Sequence, residues 1–283
     1  MTIVVALLVG DGVVLAADSA STLTEGTDVR NVYFNADKIW NVCKGLPIGA
    51  VTYGLGGFAG LSIASLAKDL RERLSSGGTW ELQKKSFTIE SIAHRFKEFF
   101  FDEHYAKEWP RKGTDKQGNV VDVHAPFGFL IAGYSNAERH AEVWSFDVDE
   151  TGTPTVAQLF GTDGVGVQAR GQPEAISRLL GGWSGHILTG LVNSGIPQGN
   201  AEAFLNGLPV EKLVHAAMPI QDAIDLARFC VEVTAGFVRF TPGAPSVHEP
   251  VDIAAITFHE KFRWVRRKHY YDPKLNKASD HGY

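Results

Sequence analysis

Cysteine is scarce in this chain: two residues in 283, Cys43 and Cys230, each inside an apolar stretch. That count implies no disulfide framework and suits buried, inert thiols in a reducing compartment. Long hydrophobic runs are missing as well. No uninterrupted apolar stretch approaches the ~20 residues of a membrane span, and Gly10-Asp11-Gly12 cuts short the apolar start, which lacks the basic segment of a signal peptide. A cytoplasmic protein, with no membrane contact, is expected. Excess positive charge is absent too, since 27 Lys and Arg face 32 Asp and Glu, so no nucleic-acid partner is expected. The one basic run, Arg263 to Lys268, reads as a solvated strand end. His248-Glu249 and Glu103-His104 lack a third ligand at useful spacing, and neighbouring strand residues face opposite ways. Neither a metal nor a cofactor is therefore expected.

What is present is strong periodicity. Ile3 to Val9 and Val13 to Ala17 are β-branched, apolar runs around a Gly-Asp-Gly turn, which predicts a hairpin. Lys38 to Val42 and Pro47 to Tyr53 form a second pair. Runs apolar on both faces indicate sheets covered on both sides. From Ala59 to Leu74 apolar residues recur every three or four positions, the spacing of a helix. Another helix starts near Thr88, a plausible N-cap, and the polar segment 107–123 reads as an exposed loop. Strands return at Phe127 to Tyr134, Ala141 to Asp147 and Val156 to Phe160. A Gly-rich turn, a helix from Pro173 to Leu180, an irregular segment to Pro219 and a helix over Gln221 to Thr234 follow. Asp252 to Phe258 and Phe262 to Val265 close the pattern. Blocks of strands and of helix pairs predict an α+β protein, a four-layer αββα sandwich, with one domain over 1–267 and a polar C-terminal tail over 268–283.

Thr2 carries the chemical interest. Removal of Met1 would leave a free α-amine beside the threonine hydroxyl, and an amine with an ordinary pKa of about 7.7–8.0 is a suitable base near neutral pH. Nucleophile and base on one residue is an established way to activate threonine. The surrounding sequence resembles the proteasome β-subunit family, whose members are N-terminal nucleophile hydrolases. The resemblance lies in Thr2-Ile-Val-Val-Ala6, Asp11-Gly-Val-Val-Leu-Ala-Ala-Asp-Ser19, Asn35-Ala-Asp-Lys-Ile39 and Gly49-Ala-Val-Thr-Tyr-Gly54. Later segments, Phe129 to Tyr134, Val143 to Asp147 and Val251 to Ile256, are similar to the family's later strands.

That resemblance implies a threonine-type endopeptidase in which Thr2 attacks the scissile carbonyl, Lys38 assists its hydroxyl, and Asp18 holds Lys38 charged and oriented. The backbone N–H of Gly54 would stabilise the oxyanion. Ser21, Ala36, Trp40, Thr52 and Gly56 would line the pocket for the substrate side chain. Polypeptides are the implied substrates, a homo-oligomeric ring the implied assembly, and any ATPase unfoldase or activator would be a separate chain. A small-molecule amidase and a non-catalytic ring scaffold with a blocked N-terminus are the alternatives. The chain departs from the family pattern twice. Arg170 stands at or near a family serine, with Gly161-Thr-Asp-Gly164 as another source of a polar group, and near the last strands only Thr241 or Ser246 offers a hydroxyl.

Overall fold

The computed structural model describes residues 2–25, 28–58, 60–76, 78–115, 117–161, 164–210 and 212–268. The first strands are β1 (Ile3–Val9), β2 (Gly12–Ala17), β3 (Ser21–Glu25), β4 (Asp28–Tyr33), β5 (Ile39–Asn41) and β6 (Ile48–Gly54). A small hairpin, β7 (Gly57–Phe58) and β8 (Leu61–Ser62), leads into helix α1 (Ile63–Ser75). Helix α2 (Ile89–Phe96) continues as a π-helix over Lys97–Tyr105 and ends in α3 (Ala106–Glu108). Strands β9 (Arg111–Thr114), β10 (Val120–Val123), β11 (Phe127–Gly133), β12 (Glu142–Val148), β13 (Pro154–Phe160) and β14 (Gly166–Gly171) follow. Helices α4 (Glu174–Gly181), α5 (Gly185–Asn193), α6 (Gln198–Asn206) and α7 (Ile220–Phe240) precede β15 (Asp252–Thr257) and β16 (Lys261–Arg266). Two five-stranded antiparallel sheets dominate, in the orders β14-β1-β2-β15-β16 and β13-β12-β11-β6-β5.

Strand alternation explains why β1 is buried along its whole length. Ile3, Val5, Leu7 and Val9 turn to one side, where they pack with Ile176 of α4 and Ile224, Ala227 and Val231 of α7. Val4, Ala6 and Leu8 turn to the other, against Val51, Leu130, Ala132 and Val143 of the second sheet. The second sheet divides in the same way, with Phe127, Phe129 and Ile131 packing on Leu66 and Leu70 of α1 and Ile92 and Phe96 of α2. Each sheet thus shares one core with the other sheet and one with helices. Burial of a large aliphatic side chain contributes roughly 1.5–3 kcal/mol, so the apolar runs on both strand faces are the main reason this order of elements folds.

Several expectations change. The 107–123 segment, expected as a loop, starts in the last residues of α3 and contains two paired strands, β9 with β10. The Gly-rich turn contains β14, which extends the first sheet by pairing with β1. The segment before Pro219 contains two helices, α5 and α6. Helix α1 begins at Ile63 with Ser62 as N-cap, and Ala59 lies outside the described residues. Thr88 is the expected N-cap of α2, completed by Ser91 in a capping box. The expected tail lies outside the described residues except for Lys268, and Met1 lies outside them too.

Candidate active site

The β1–β2 register brings the site together. Val4 pairs with Ala17, so the residues beyond that pair, Thr2 and Asp18, meet at the same end of the sheet, where the Asp18 N–H donates to the Ile3 carbonyl at 3.2 Å. Lys38 arrives from the other sheet. It immediately precedes β5, which pairs with β6, and its carbonyl accepts from the Thr52 N–H at 3.0 Å.

The Thr2 hydroxyl donates to Asp18 Oδ1 at 2.5 Å and accepts from Lys38 Nζ. Lys38 Nζ also donates to Asp18 Oδ1 at 2.5 Å. Three backbone N–H groups complete the carboxylate shell: Ile3 at 3.0 Å on Oδ1, and Ala20 at 2.8 Å and His248 at 3.3 Å on Oδ2. Asp18 is fully buried, and Thr2 and Lys38 are 4% and 6% exposed. Burial of the Lys38 ammonium lowers its pKa below the ordinary 10.5; the Asp18 charge and hydrogen bond oppose that shift without cancelling it. Asp18 thus favours the charged form of Lys38, as expected of it, while desolvation works against it and leaves the amine closer to losing its proton than an ordinary lysine.

These groups open onto a cleft of about 300 Å³. Of the residues expected there, Thr2, Ser21, Ala36, Lys38, Thr52, Gly54 and Gly56 line it. Asp18 is not in the lining; it is fully buried and bonded to the Thr2 hydroxyl. Trp40 is not in the lining. Its indole is packed in the core between the second sheet and its helices, beside Phe129. It fails as a pocket residue because β5 turns it to the helical face of that sheet. Sequence reasoning missed Asn35, Asp37, Ser62 and Ile63, which also line the cleft. Asn35 and Asp37 flank Ala36, so the local segment signals them, whereas Ser62 and Ile63 come from the start of α1 and carry no sequence signal of proximity.

Two glycines are held by their backbones. Gly54 has φ +86, and a Cβ there would lie 2.4 Å from the Pro126 carbonyl oxygen and 2.6 Å from Phe127 Cα. Gly171 has φ +93, and a Cβ there would come within 2.1 Å of the Thr2 carbonyl oxygen. Only glycine combines those positive φ angles with such close approaches. Arg170, next to Gly171, donates to Gln168 Oε1 at 3.0 Å and the Ala169 carbonyl at 3.2 Å. The Thr241 hydroxyl bonds back to the Phe237 carbonyl at the end of α7. Ser246 is 1% exposed, and its hydroxyl has no partner among the described residues. It precedes His248, whose N–H reaches Asp18. Thr162 and Asp163 lie outside the described residues.

No protein-family model matches the sequence, and no curated protein matches it. Solved structures do match in fold. The Anbu complex from Pseudomonas aeruginosa, described as a helical assembly, is 13% identical over 96% of this chain and 90% of that chain, with a TM-score of 0.50. Anbu (ancestral beta-subunit) from Yersinia bercovieri is 13% identical over 95% and 89%, with a TM-score of 0.49. A Gly-1 mutant of Anbu from Hyphomicrobium sp. strain MC1 is 14% identical over 95% and 86%, also at 0.49. The fold is thus similar to that of the Pseudomonas Anbu protein. This corrects the resemblance read from the sequence: no family model places the chain among proteasome β-subunits, and these solved structures are Anbu proteins. No helix among the described residues is long and apolar enough to cross a membrane.

Proposed function

We propose that this chain is a threonine-type peptidase with Thr2 as its N-terminal nucleophile, built on a four-layer αββα fold of the N-terminal nucleophile hydrolase type. The observation that carries the reading is the buried Thr2 hydroxyl, hydrogen-bonded to both Asp18 and Lys38 at the edge of an open cleft. The reading requires removal of Met1. The freed α-amine takes the hydroxyl proton, the Thr2 oxygen adds to the substrate carbonyl, and Lys38 donates a hydrogen bond to that oxygen as negative charge develops. The Gly54 N–H supports the tetrahedral oxyanion; removing such a donor costs about 2.7–4 kcal/mol of barrier. Collapse breaks the C–N bond as the amine passes its proton to the leaving nitrogen. Water then adds to the resulting ester and releases the acid, restoring the threonine hydroxyl.

Ala36, Thr52, Ser21 and Gly56 leave the cleft open to extended chains, which favours peptides as substrates. Self-assembly is part of the proposal. Phe204 on α6 and Phe229, Phe237 and Phe240 on α7 are 66%, 48%, 41% and 82% exposed, apolar side chains that a second copy would cover.

Intact mass before and after treatment with a peptide epoxyketone tests the reading, because that group reacts with the hydroxyl and free amine of an N-terminal threonine together. Loss of Met1 and gain of one inhibitor, with no gain in Thr2→Ala, is expected. A protein that keeps Met1 and gains nothing refutes the peptidase reading and favours a non-catalytic subunit. Labelling without cleavage of any peptide in a mixed library favours a small-molecule amidase.

A further inference from the structure

A second lysine–aspartate pair lies behind the first. Lys268 and Asp252 have side chains only 6% and 3% exposed, although the basic run ending at Lys268 reads from sequence as solvated. Lys268 Nζ donates to Asp252 Oδ2 and to Ser19 Oγ at 2.7 Å. Its backbone N–H donates to Asp252 Oδ1 at 3.0 Å, so both carboxylate oxygens are engaged. Ser19 Oγ donates in turn to the Pro250 carbonyl.

Ser19 connects this pair to the site. It follows Asp18 directly. Its N–H donates to the His248 carbonyl at 2.9 Å, and its carbonyl accepts from the Ala36 N–H at 3.0 Å, two residues before Lys38. Asp252 sits opposite Ala17 in the β2–β15 register. The Lys268 ammonium therefore rests on the residue that joins the segments carrying Asp18 and Lys38. A buried ion pair is weak support for stability compared with apolar packing, which leaves its place beside the site to be explained.

We propose that Lys268 and Asp252 are positioning residues for the Thr2 centre, bracing the Asp18 and Lys38 segments and setting the charge balance at Lys38. The catalytic meaning rests on the peptidase reading; the charge coupling itself holds with or without catalysis. Beyond burial, the charged groups acting on Lys38 are Asp18, then Lys268, which opposes its protonation, and Asp252, which favours it. Removing Lys268 alone leaves Asp252 unopposed and holds the proton on Lys38 more firmly. Removing Asp252 alone does the reverse. A purely structural brace would disturb Lys38 in the same direction in both variants.

The test uses the full chain and trace labelling with acetic anhydride across a pH series, quantified lysine by lysine by mass spectrometry. Lys38 lines the cleft, so the reagent can reach it. The pH midpoint of Lys38 reactivity is expected to rise by about one pH unit in Lys268→Met and to fall by about as much in Asp252→Asn. It should stay near the wild-type value in Lys268→Arg and in the double variant Lys268→Met/Asp252→Asn. Shifts of the same sign in the two folded single variants, or none in either, overturn the proposal. If a single variant does not fold, the double variant decides, and a midpoint displaced by about one unit or more overturns it. Epoxyketone labelling of the wild type reads the peptidase proposal separately, so a failure there leaves the Lys38 result standing.

Discussion

Replacing Asp18 by Asn removes the charge at the centre of the site with almost no change in volume. The carboxylate accepts five hydrogen bonds, three on Oδ1 and two on Oδ2. Whichever way the amide turns, its NH2 faces at least two donors, and the Lys38 ammonium loses its nearest counter-charge. Breaking a buried pair by removing one partner costs about 3–5 kcal/mol, and that is the expected loss near neutral pH. The loss must also depend on pH. The folded-state pKa of Lys38 already lies below 10.5, so the unfolded chain holds more protons between the folded value and 10.5, and stability rises with pH across that window. Without Asp18 the folded value drops further. The penalty of Asp18→Asn therefore narrows as pH rises, by at most ~1.4 kcal/mol per pH unit. Denaturant unfolding at fixed protomer concentration, at several pH values, measures it. A penalty under about 1 kcal/mol, or one that does not change with pH, would refute the reasoning.

Three further outcomes follow from the geometry. Gly54→Ala places a methyl against the Pro126 carbonyl at positive φ, so it should cost about 1–3 kcal/mol and abolish peptide cleavage; an active, equally stable variant contradicts both the strain and the proposed oxyanion role. Thr88→Ala removes the capping-box hydroxyl of α2 and should lower stability by about 1 kcal/mol without altering turnover, as thermal unfolding and a peptidase assay can check. Burial pushes the Cys230 thiol up to about 11. Its reaction with a disulfide reagent at pH 8 should be slow in the native protein and fast after denaturation, and fast native reaction would show that the α7 core opens readily.

Local rules were enough for much of the secondary structure. The Gly10-Asp11-Gly12 turn and its flanking β-branched runs announce β1 and β2, and Thr88 announces the start of α2. Where local signals were weak, long-range pairing decided. Gly166 to Gly171 reads as a turn because glycine and polar residues interrupt it, yet β1 supplies a ladder partner at each position from Gly166 to Gly171. The 107–123 segment has poor apolar content because its hairpin is mostly exposed, so no alternation betrays it. Helices α5 and α6 carry apolar residues on surfaces that the chain itself leaves partly uncovered, which blurs the helical period.

At the site, a hydroxyl at position two gave Thr2 a chemical signal of its own, whereas Asp18 and Lys38 stood out only through the resemblance of their segments to those of proteasome β-subunits. Distances, burial and charge state came only from the tertiary structure. The depressed pKa of Lys38 depends on how completely two sheets exclude water around it, and that is a property of packing. Trp40 belongs to the core for the same reason, because the face of a strand that meets helices is settled by what folds over it. Lys268 and Asp252 are distant in sequence from Thr2 and Lys38, and nothing local distinguishes Lys268 from a solvated basic residue. Its place beside Ser19 exists only because β15 pairs with β2 and β16 returns the chain to that end of the sheet.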